Sequence, residues 1–354
     1  MAQYKRYCFI GEYFDSMASL VRQYQIFIYP DDESIEMYDI KTRKIMLKRI
    51  INPEIKLKSL YIGADVNIYS RKMKIVEYGD DFTRKTFEEL RSSTFALILP
   101  PAYMAIGKII DLIYQNGFQI TKMKMNKLND NEAKEYLTIH NSSTNSTDIT
   151  VKDISSDLVV GMELVKKNAV PDFQKVVNEH ILPQIKIDKS ILYSTDNESA
   201  LLELGYFFTR QHSPQLTNCS CLVLKPHVIM DGHAGKIIDI VLNEGFEISS
   251  MEMFYLDKAT AEGFFDVYRG VLPEYAPIVT HVISGPVIAI EVRQDDVVGK
   301  VRALVGPHDP ELAKTLRPNT LRAMFGVDRV KNVCHCTDLP EDGVLECQYF
   351  FELL

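Results

Sequence analysis

The chain has 354 residues, of which 46% are hydrophobic and 25% charged, so it can bury the core of a soluble protein with two or three domains. Its 40 basic and 48 acidic residues give a formal net charge of −8, which argues against a protein that coats nucleic acid. The sequence has no apolar run of about 18 residues and no apolar signal segment at its start. We therefore expect no membrane span and an intracellular location, where the six cysteines stay reduced.

Residues 1–90 carry short runs of β-forming residues, separated by acidic or glycine-containing turns. The runs 24–29, 34–38 and 66–69 have the character of strands, and Asp31-Asp32-Glu33 fits a hairpin turn between the first two. We therefore predict that this segment forms a small, mostly β N-terminal module.

The rest of the chain contains an internal repeat. Gly107-Lys-Ile-Ile-Asp111 recurs as Gly235-Lys-Ile-Ile-Asp239, and Gly117-Phe118 recurs as Gly245-Phe246. Both pairs are separated by 128 residues (235 − 107 and 245 − 117). The sequence thus predicts two copies of one domain, over residues 92–212 and 218–354.

Each copy has the pattern of an α/β unit. An apolar run that ends before a proline predicts a buried strand, and the Gly-Lys-Ile-Ile-Asp segment has the spacing and the glycine ending of a helix. In the second copy, residues 286–292 predict a further strand and Val297 to Val305 another helix. These halves imply an α+β fold class, in which two ferredoxin-like α/β sandwich domains follow the β module. The polar segment 141–147 of the first copy fits a surface loop.

The second copy concentrates side chains suited to phosphate chemistry. His335 lies in the segment 331–338, and Glu346 follows it. A neutral imidazole can attack phosphorus, and a nearby carboxylate would fix its tautomer. Cations and polar groups can bind the phosphate oxygens, and this copy supplies Lys225, Arg302, Arg322, Asn332 and Thr337.

The order and spacing of these residues resemble the nucleoside diphosphate kinase family. The matching segments cover the whole second copy: Leu224-Lys225-Pro226, Gly235-Lys-Ile237, Gly245-Phe246, Ser284-Gly-Pro286, Arg302-Ala-Leu-Val-Gly306, Thr320-Leu-Arg322, Asn332-Val-Cys-His335 and Glu346. The leading block, through residues 9–15 and 77–80, is similar to the DM10 domain that precedes two kinase-like domains in some members of this family.

The resemblance implies a ping-pong reaction, in which a nucleoside triphosphate phosphorylates His335 and the phosphohistidine then phosphorylates a nucleoside diphosphate. It implies that Glu346 orients the histidine and that Thr337 assists. It further implies four nucleotide-binding residues: Lys225, Arg302, Arg322 and Asn332. Magnesium would arrive with the nucleotide, held by phosphate oxygens, so no metal site on the protein is expected.

Several positions of the second copy depart from the family pattern. His308 stands where the family usually has threonine, and Cys336 replaces the glycine after the nucleophile. The positions that clamp the base fall at Glu274, with Tyr275 beside it, and at Arg329. Loss of a stacking side chain predicts nucleotide binding weaker by about 1–3 kcal/mol.

The first copy lacks the site. It has Leu99 where Lys225 stands and, aligned back from the ends of the two copies, Tyr193 where His335 stands. Leucine carries no charge, and tyrosine, with an ordinary pKa of about 10, is a poor phosphate acceptor. We therefore expect this copy to be inactive and to have a structural task.

The resemblance also implies a cytoskeletal location. Proteins with this domain order are associated with ciliary axonemes, doublet microtubules and γ-tubulin complexes. This predicts tubulin and axonemal proteins as partners, NTP and NDP as ligands, and a location in the cytoplasm, the cytoskeleton and the axoneme of the cilium. Two alternatives stay open: a purely structural scaffold in which both kinase-like domains are inactive, and a soluble housekeeping nucleoside diphosphate kinase.

The cysteines could also suggest a zinc site. The pairs 219/221 and 334/336 have one intervening residue each, fewer than the usual two to four of zinc-binding pairs. They are therefore predicted to be reduced packing residues.

Overall fold

The computed structural model describes residues 6–15, 18–53, 55, 57, 60, 62–69, 71–88, 92–141, 149–211 and 214–354. The loop predicted at 141–147 lies outside the described residues from position 142 onward. Contacts divide the chain into two compact units: unit 1 is 1–90 with 255–286, and unit 2 is 91–254 with 287–354. In the described residues, no helix is both long and apolar enough to cross a bilayer.

The N-terminal module is a six-stranded antiparallel sheet with one helix, as the alternating runs predict. Its elements are β1 (Tyr7–Asp15), β2 (Leu20–Tyr29), β3 (Ser34–Asp39), β4 (Ile45–Ile51), β5 (Asp65–Ile68), β6 (Arg71–Tyr78) and α1 (Asp81–Glu88). The strand order is β4-β3-β2-β1-β6-β5. Tyr29 pairs with Ser34, so the predicted turn at Asp31-Asp32-Glu33 closes the β2–β3 hairpin.

The first copy begins with a buried strand, as predicted. Its elements are β7 (Ser92–Ile98), α2 (Ile106–Gln115), β8 (Gln119–Lys127), α3 (Asp130–Asn141), α4 (Val151–Ser155), β9 (Leu158–Lys166), α5 (Ala169–Val176), α6 (Leu182–Ile185), β10 (Ile191–Tyr193) and α7 (Asn197–Phe207). Helix α2 ends before Gly117, whose φ of +76° suits glycine, and the N–H of Phe118 bonds back to the carbonyl of Ile113 at 3.3 Å.

The second copy repeats this order. Its elements are β11 (Cys219–Leu224), α8 (Pro226–Met230), α9 (Ala234–Asn243), β12 (Glu247–Phe254), α10 (Lys258–Phe264), α11 (Tyr275–Val282), β13 (Val287–Arg293), α12 (Val297–Val305), α13 (Pro310–Leu316), α14 (Leu321–Phe325), β14 (Cys334–Cys336) and α15 (Gly343–Gln348). Strand β13 and helix α12 fall where the sequence predicts them.

The two copies share the strand order of a ferredoxin-like fold. The first gives β10-β7-β9-β8 and the second β14-β11-β13-β12, which is the fourth, first, third and second strand of each copy. The predicted α+β fold class with ferredoxin-like domains is therefore confirmed.

The two copies join edge to edge into one eight-stranded sheet. Strand β8 pairs with β12 in antiparallel register, with Lys124 opposite Glu252. These two residues are themselves 128 positions apart, so equivalent residues of the two copies face each other. The junction therefore has the geometry of a two-fold, self-complementary interface within one chain.

Helices α2 and α9 cross beside this junction through two glycines. A Cβ at Gly107 would overlap the backbone nitrogen of Asp239, and a Cβ at Gly235 would overlap the backbone nitrogen of Asp111. The contact is reciprocal, because each glycine meets the aspartate of the other copy's repeated segment. Glycine is thus needed in both copies for the helices to approach this closely.

In unit 1, segment 255–286 packs with the N-terminal module. The side-chain amide of Asn67 on β5 donates to the carbonyl of Leu256 at 2.8 Å and also to that of Ile283. These carbonyls lie near the two ends of the segment, so one side chain ties both ends to the sheet.

Candidate active site

His335 lies on the short strand β14, where it is the register partner of Val223 on β11. Its Nε2 is 2.9 Å from Oε2 of Glu346 on α15, and the hydroxyl of Thr337 donates to the same oxygen at 2.8 Å. Because a carboxylate accepts, Nε2 carries the ring proton and Nδ1 carries the lone pair. The ring is thereby fixed in the tautomer that can act as a nucleophile through Nδ1.

The backbone just before His335 is strained. Val333 has a φ of +79°, which β-branched residues rarely adopt, and the N–H of Cys334 donates to the carbonyl of Asn332 at 3.0 Å. These features define a γ-turn of the positive-φ type. Such strain costs about 1–3 kcal/mol and persists only where surrounding contacts fix the backbone.

Arg322 supplies part of that support. Its guanidinium donates to the carbonyl of Asn332 at 3.3 Å and to that of Cys334 at 3.0 Å, one on each side of the strained residue. A third bond, at 2.9 Å, reaches the carbonyl of Gly306. Arg322 therefore acts as a buried positioning residue for the turn as well as a candidate phosphate ligand.

Lys225 and His227, which follow β11 in the chain, complete the support of Val333. The N–H of Val333 donates to Nε2 of His227 at 3.3 Å, and the Val333 carbonyl accepts from the backbone N–H of Lys225 at 2.9 Å. Burial, and then the charge of Lys225, lower the pKa of His227 to about 4, so this ring is a neutral acceptor near pH 7.

The ammonium of Lys225 is buried beside the nucleophile strand. Its Nζ donates to the side-chain oxygen of Asn332 at 2.6 Å and to the carbonyl of Val330 at 2.9 Å. Burial, and then the nearby charge of Arg322, lower the pKa of Lys225 to about 7. The Asn332 amide in turn donates to the carbonyl of His308 at 3.1 Å, which joins the His308 loop to this network.

Arg302 is the exposed member of the predicted set. It projects from α12 and forms an ion pair with Asp338, and both side chains are 47% exposed. A half-exposed ion pair is weak, so phosphate can compete with Asp338 for this guanidinium. The structure thus brings the seven predicted site residues into one region of the second copy, but it engages both arginines with protein groups.

The altered base-clamp positions make local contacts of their own. The hydroxyl of Tyr275, which follows Glu274, accepts from Arg269 at 3.1 Å, while Arg329 pairs with Asp309 at 2.8 Å. Arg329 thus carries a partnered charge at a position that the resemblance assigns to the base clamp.

In the first copy, the sheet register corrects one expectation. Strand β10 pairs with β7 so that Leu192 is opposite Leu97, in the same relation as His335 to Val223. The counterpart of His335 is therefore Leu192, and the expected Tyr193 is wrong by one residue. A count back from the paired phenylalanines gives the same answer as the register, because His335 lies 16 residues before Phe351 and Leu192 lies 16 residues before Phe208.

The first copy nevertheless keeps a buried carboxylate. Glu203, on α7, has the place of Glu346 relative to the paired phenylalanines that end each copy. It accepts from the hydroxyl of Ser194 and lies 2.6 Å from Nδ1 of His140, which comes from α3. His140 is 3% exposed and Glu203 0%, and on β10 Leu192 has the place of His335, so Glu203 orients no nucleophile on that strand. This arrangement supports the prediction that the first copy is inactive.

Two contributors to the site were absent from the prediction. His227 and His308 contact the turn or Asn332, yet neither was assigned a supporting role. For His227 a signal existed, because the first copy has Pro101 at the corresponding place after its strand. A histidine found only in the copy with the nucleophile points to that nucleophile's surroundings.

Comparisons with known proteins agree with this architecture. The family described as "Nucleoside diphosphate kinase" matches residues 92–191 and 218–353, and the "Nucleoside diphosphate kinase 7 N-terminal PH domain" matches residues 1–89. The chain is 38% identical over 373 residues to nucleoside diphosphate kinase homolog 7 of Rattus norvegicus and of Mus musculus, covering 99% of this chain and 94% of each relative. A crystal structure of the Aquifex aeolicus nucleoside diphosphate kinase is similar at 35% identity and a TM-score of 0.37, over 38% of this chain and 95% of that one. By the match to the family and by the similarity to the rat and mouse proteins, the chain belongs to the nucleoside diphosphate kinase family.

Proposed function

We propose that the second copy transfers a phosphoryl group from a nucleoside triphosphate to a nucleoside diphosphate through His335. The observation that carries this proposal is the contact of Nε2 with Glu346, which leaves the lone pair on Nδ1. Nδ1 attacks the γ-phosphorus, and the bond to the β-phosphate oxygen breaks as the nucleoside diphosphate leaves. A terminal oxygen of a second nucleoside diphosphate then attacks the phosphohistidine and restores the neutral ring.

The surrounding groups suit a triphosphate. Lys225, which follows β11, Asn332, which precedes β14, and Arg302 on α12 offer N–H donors, and phosphate oxygens accept from such groups. Phosphate oxygens would favour the charged form of Lys225, which burial of this side chain otherwise disfavours.

Magnesium fits this site as a companion of the nucleotide. The carboxylate nearest the nucleophile, Glu346, already accepts from His335 and Thr337. The other predicted ligands are cations or an amide, which suit phosphate rather than a metal ion. Bound through the nucleotide's phosphates, Mg²⁺ would neutralise charge that develops in the transition state.

The proposal is tested by phosphohistidine formation. Purified protein is mixed with γ-labelled ATP and magnesium, beside His335→Ala and the control His180→Ala, which alters an exposed histidine of the first copy. We expect acid-labile label on the wild type and on the control, and its transfer to added nucleoside diphosphate. Equal label on His335→Ala, or none on the wild type, would contradict the proposal.

A second proposed function is association with microtubules in the cytoplasm and the ciliary axoneme. The observation that favours it is strand β4, an edge strand in the described sheet that carries exposed apolar and basic residues. Ile51 is 65% exposed and Ile45 52%, and Lys44 and Lys48 are exposed beside them. Such an edge suits an extended acidic segment of a partner, and we propose that this partner is tubulin, which the resemblance implies.

Sedimentation with microtubules tests this second function. We expect the wild type to pellet and the double variant Lys44→Glu/Lys48→Glu to pellet less, with binding that weakens as salt rises. The control Lys300→Glu, on the second copy, should behave as wild type. Activity without pelleting would favour the housekeeping alternative, and pelleting without phosphohistidine would favour the scaffold.

A further inference from the structure

Three potential metal ligands converge in unit 2 at a place that the phosphoryl-transfer chemistry does not use. They are Cys219 at the start of β11, Glu291 on β13 and Cys347 on α15. One ligand atom from each lies within 4.8 Å of the others, and all three residues are buried. Residues 72 and 128 positions apart in the chain are thus brought together by the sheet and by one helix.

The pairing of β11 with β13 and the contact of α15 with β11 hold these residues close together. Strands β11 and β13 pair antiparallel, with Cys221 opposite Glu291 and Cys219 one alternation further along the same face. Helix α15 lies against β11, and a Cβ at Gly343 would overlap the carbonyl oxygen of Cys219. The glycine at the start of α15 therefore permits the close approach that brings Cys347 to the strand.

Glu291 is a buried carboxylate that lacks a cationic partner in the described part of the chain. Its side chain accepts from the backbone N–H groups of Leu216 at 2.6 Å and Gln215 at 3.0 Å, and the residue is 0% exposed. Among the described residues, no lysine, arginine or histidine forms an ion pair with it. Buried charges in proteins are normally paired with a charge of opposite sign or bound to a metal.

The thiols next to Glu291 specify which metal suits the site. Cys219 is 3% exposed, and Cys347 and Cys221 are 0% exposed. Thiolate sulfur with one carboxylate oxygen is a donor set for Zn²⁺, whereas Mg²⁺ and Ca²⁺ require oxygen ligands. Tetrahedral zinc with Zn–S bonds of about 2.3 Å places two sulfurs about 3.8 Å apart, so the sulfurs of Cys219 and Cys347 need to close by roughly 1 Å at most.

We propose that Cys219, Cys347 and Glu291 bind one structural zinc ion. On binding, the cysteine thiols release their protons to solvent and the zinc takes the thiolate and carboxylate electron pairs. The sequence spacing does not indicate this site, because Cys347 lies 128 residues after Cys219 and follows the nucleophile.

The zinc ion would anchor the helix that carries Glu346. Cys347 is the next residue after Glu346, so a metal bound to Cys347 fixes the C-terminal part of α15 against β11. Zinc at this place therefore stabilises the second copy and holds the carboxylate that orients His335.

Metal content of the full-length protein tests the proposal. Protein produced with zinc in the medium is dialysed without chelator and analysed by elemental mass spectrometry. We expect one equivalent of zinc in the wild type, in Cys8→Ala, which alters a buried cysteine of the N-terminal module, and in His335→Ala. We expect a loss of most of this zinc in Cys219→Ser and Cys347→Ala. Substoichiometric zinc in the wild type, zinc kept by both site variants, or zinc lost from His335→Ala would overturn the proposal.

A second measurement does not depend on folding of the variants. Wild-type protein stripped of metal and reloaded with Co²⁺ should acquire the absorption of tetrahedral cobalt with thiolate ligands. An octahedral cobalt spectrum, or a disulfide between Cys219 and Cys347 in place of metal, would overturn the proposal while leaving phosphohistidine formation untouched.

Discussion

Lys124 and Glu252 occupy equivalent positions in the two copies and face each other where the two sheets join, with Nζ 3.5 Å from Oε2. The ammonium also donates to the carbonyl of Arg210 at 2.6 Å. When two copies of one domain pair through the same strand, equivalent residues of the two copies face each other. Here one copy has lysine and the other has glutamate, so the two facing residues form an ion pair instead of two like charges.

This ion pair predicts a pH dependence of stability. Burial raises the pKa of Glu252 from its ordinary value to about 7, against the opposing effect of Lys124. A carboxyl whose pKa is raised on folding holds its proton more tightly in the folded state, so its contribution falls as pH rises from about 4.5 to 7. We expect Glu252→Gln to remove about 3 kcal/mol of this decline, measured as the difference from wild type in urea unfolding across that range. Parallel pH profiles for the two proteins would contradict the assignment.

The crossing of α2 and α9 predicts a large effect from a small substitution. Gly107→Ala introduces a methyl group into the backbone of Asp239, so we expect a loss of at least about 2 kcal/mol of stability. The matched control is Gly205→Ala, because no atom lies within 4 Å of a Cβ built at that helical glycine. Alanine there should be neutral or stabilising by about 0.5–1 kcal/mol. Similar unfolding midpoints for the two variants would mean that the crossing is not tightly packed.

Most of the fold could be predicted from the sequence, because the repeated segments mark equivalent elements in both copies. The helix and the Gly-Phe turn recur at one offset, and each signal predicts the same element twice. The pairing of the two copies through β8 and β12 could not be predicted, because a lysine and a glutamate in a strand normally indicate exposed positions. The turn at Val333 was missed for a related reason: a β-branched residue predicts extended backbone, and only the contacts from Arg322 and His227 impose a positive φ.

Experiments should distinguish a structural role of Arg322 from a nucleotide-binding role of Arg302. Arg322 donates three bonds to backbone carbonyls, so Arg322→Ala leaves these acceptors unpaired and should cost about 2–4 kcal/mol of stability without nucleotide. The exposed Arg317→Ala serves as control and should change stability by less than about 0.5 kcal/mol. Thermal unfolding without ligand makes the comparison. A loss of activity in Arg322→Ala with unchanged stability would instead assign this residue to phosphate binding alone.

For Arg302 we expect the opposite result, in which substitution weakens nucleotide binding and leaves stability nearly unchanged. Its ion pair with Asp338 is half exposed, so Arg302→Ala should leave the unfolding midpoint nearly unchanged. If the guanidinium exchanges Asp338 for phosphate, the KM for nucleoside triphosphate should rise about 10- to 100-fold. Steady-state kinetics of this variant, beside Lys300→Ala on the same helix, give the test. An unchanged KM and kcat would remove Arg302 from the nucleotide site.

The buried amine of Lys225 predicts how activity depends on pH. With its pKa lowered to about 7 by burial and then by Arg322, the free enzyme loses the charged form as pH rises above 7. Because kcat/KM reports the free enzyme, it should fall above about pH 7, while kcat, measured with phosphate bound, should fall less. In Lys225→Gln the decline should vanish, at a level about 10- to 100-fold lower. A decline that persists in this variant would point to another titrating group.

The carboxylate next to the nucleophile should affect turnover more than binding. Glu346 contacts the ring nitrogen opposite to the attacking one, so it fixes the tautomer and favours the positive charge that develops on phosphorylation. Glu346→Ala removes both effects without touching nucleotide, and we expect kcat to fall about 100-fold with KM changed little. Glu352→Ala, which removes an exposed carboxylate from the last turn of the chain, is the control and should keep full activity. If Glu346→Ala raised KM and left kcat intact, the carboxylate would have to act on the nucleotide rather than on His335.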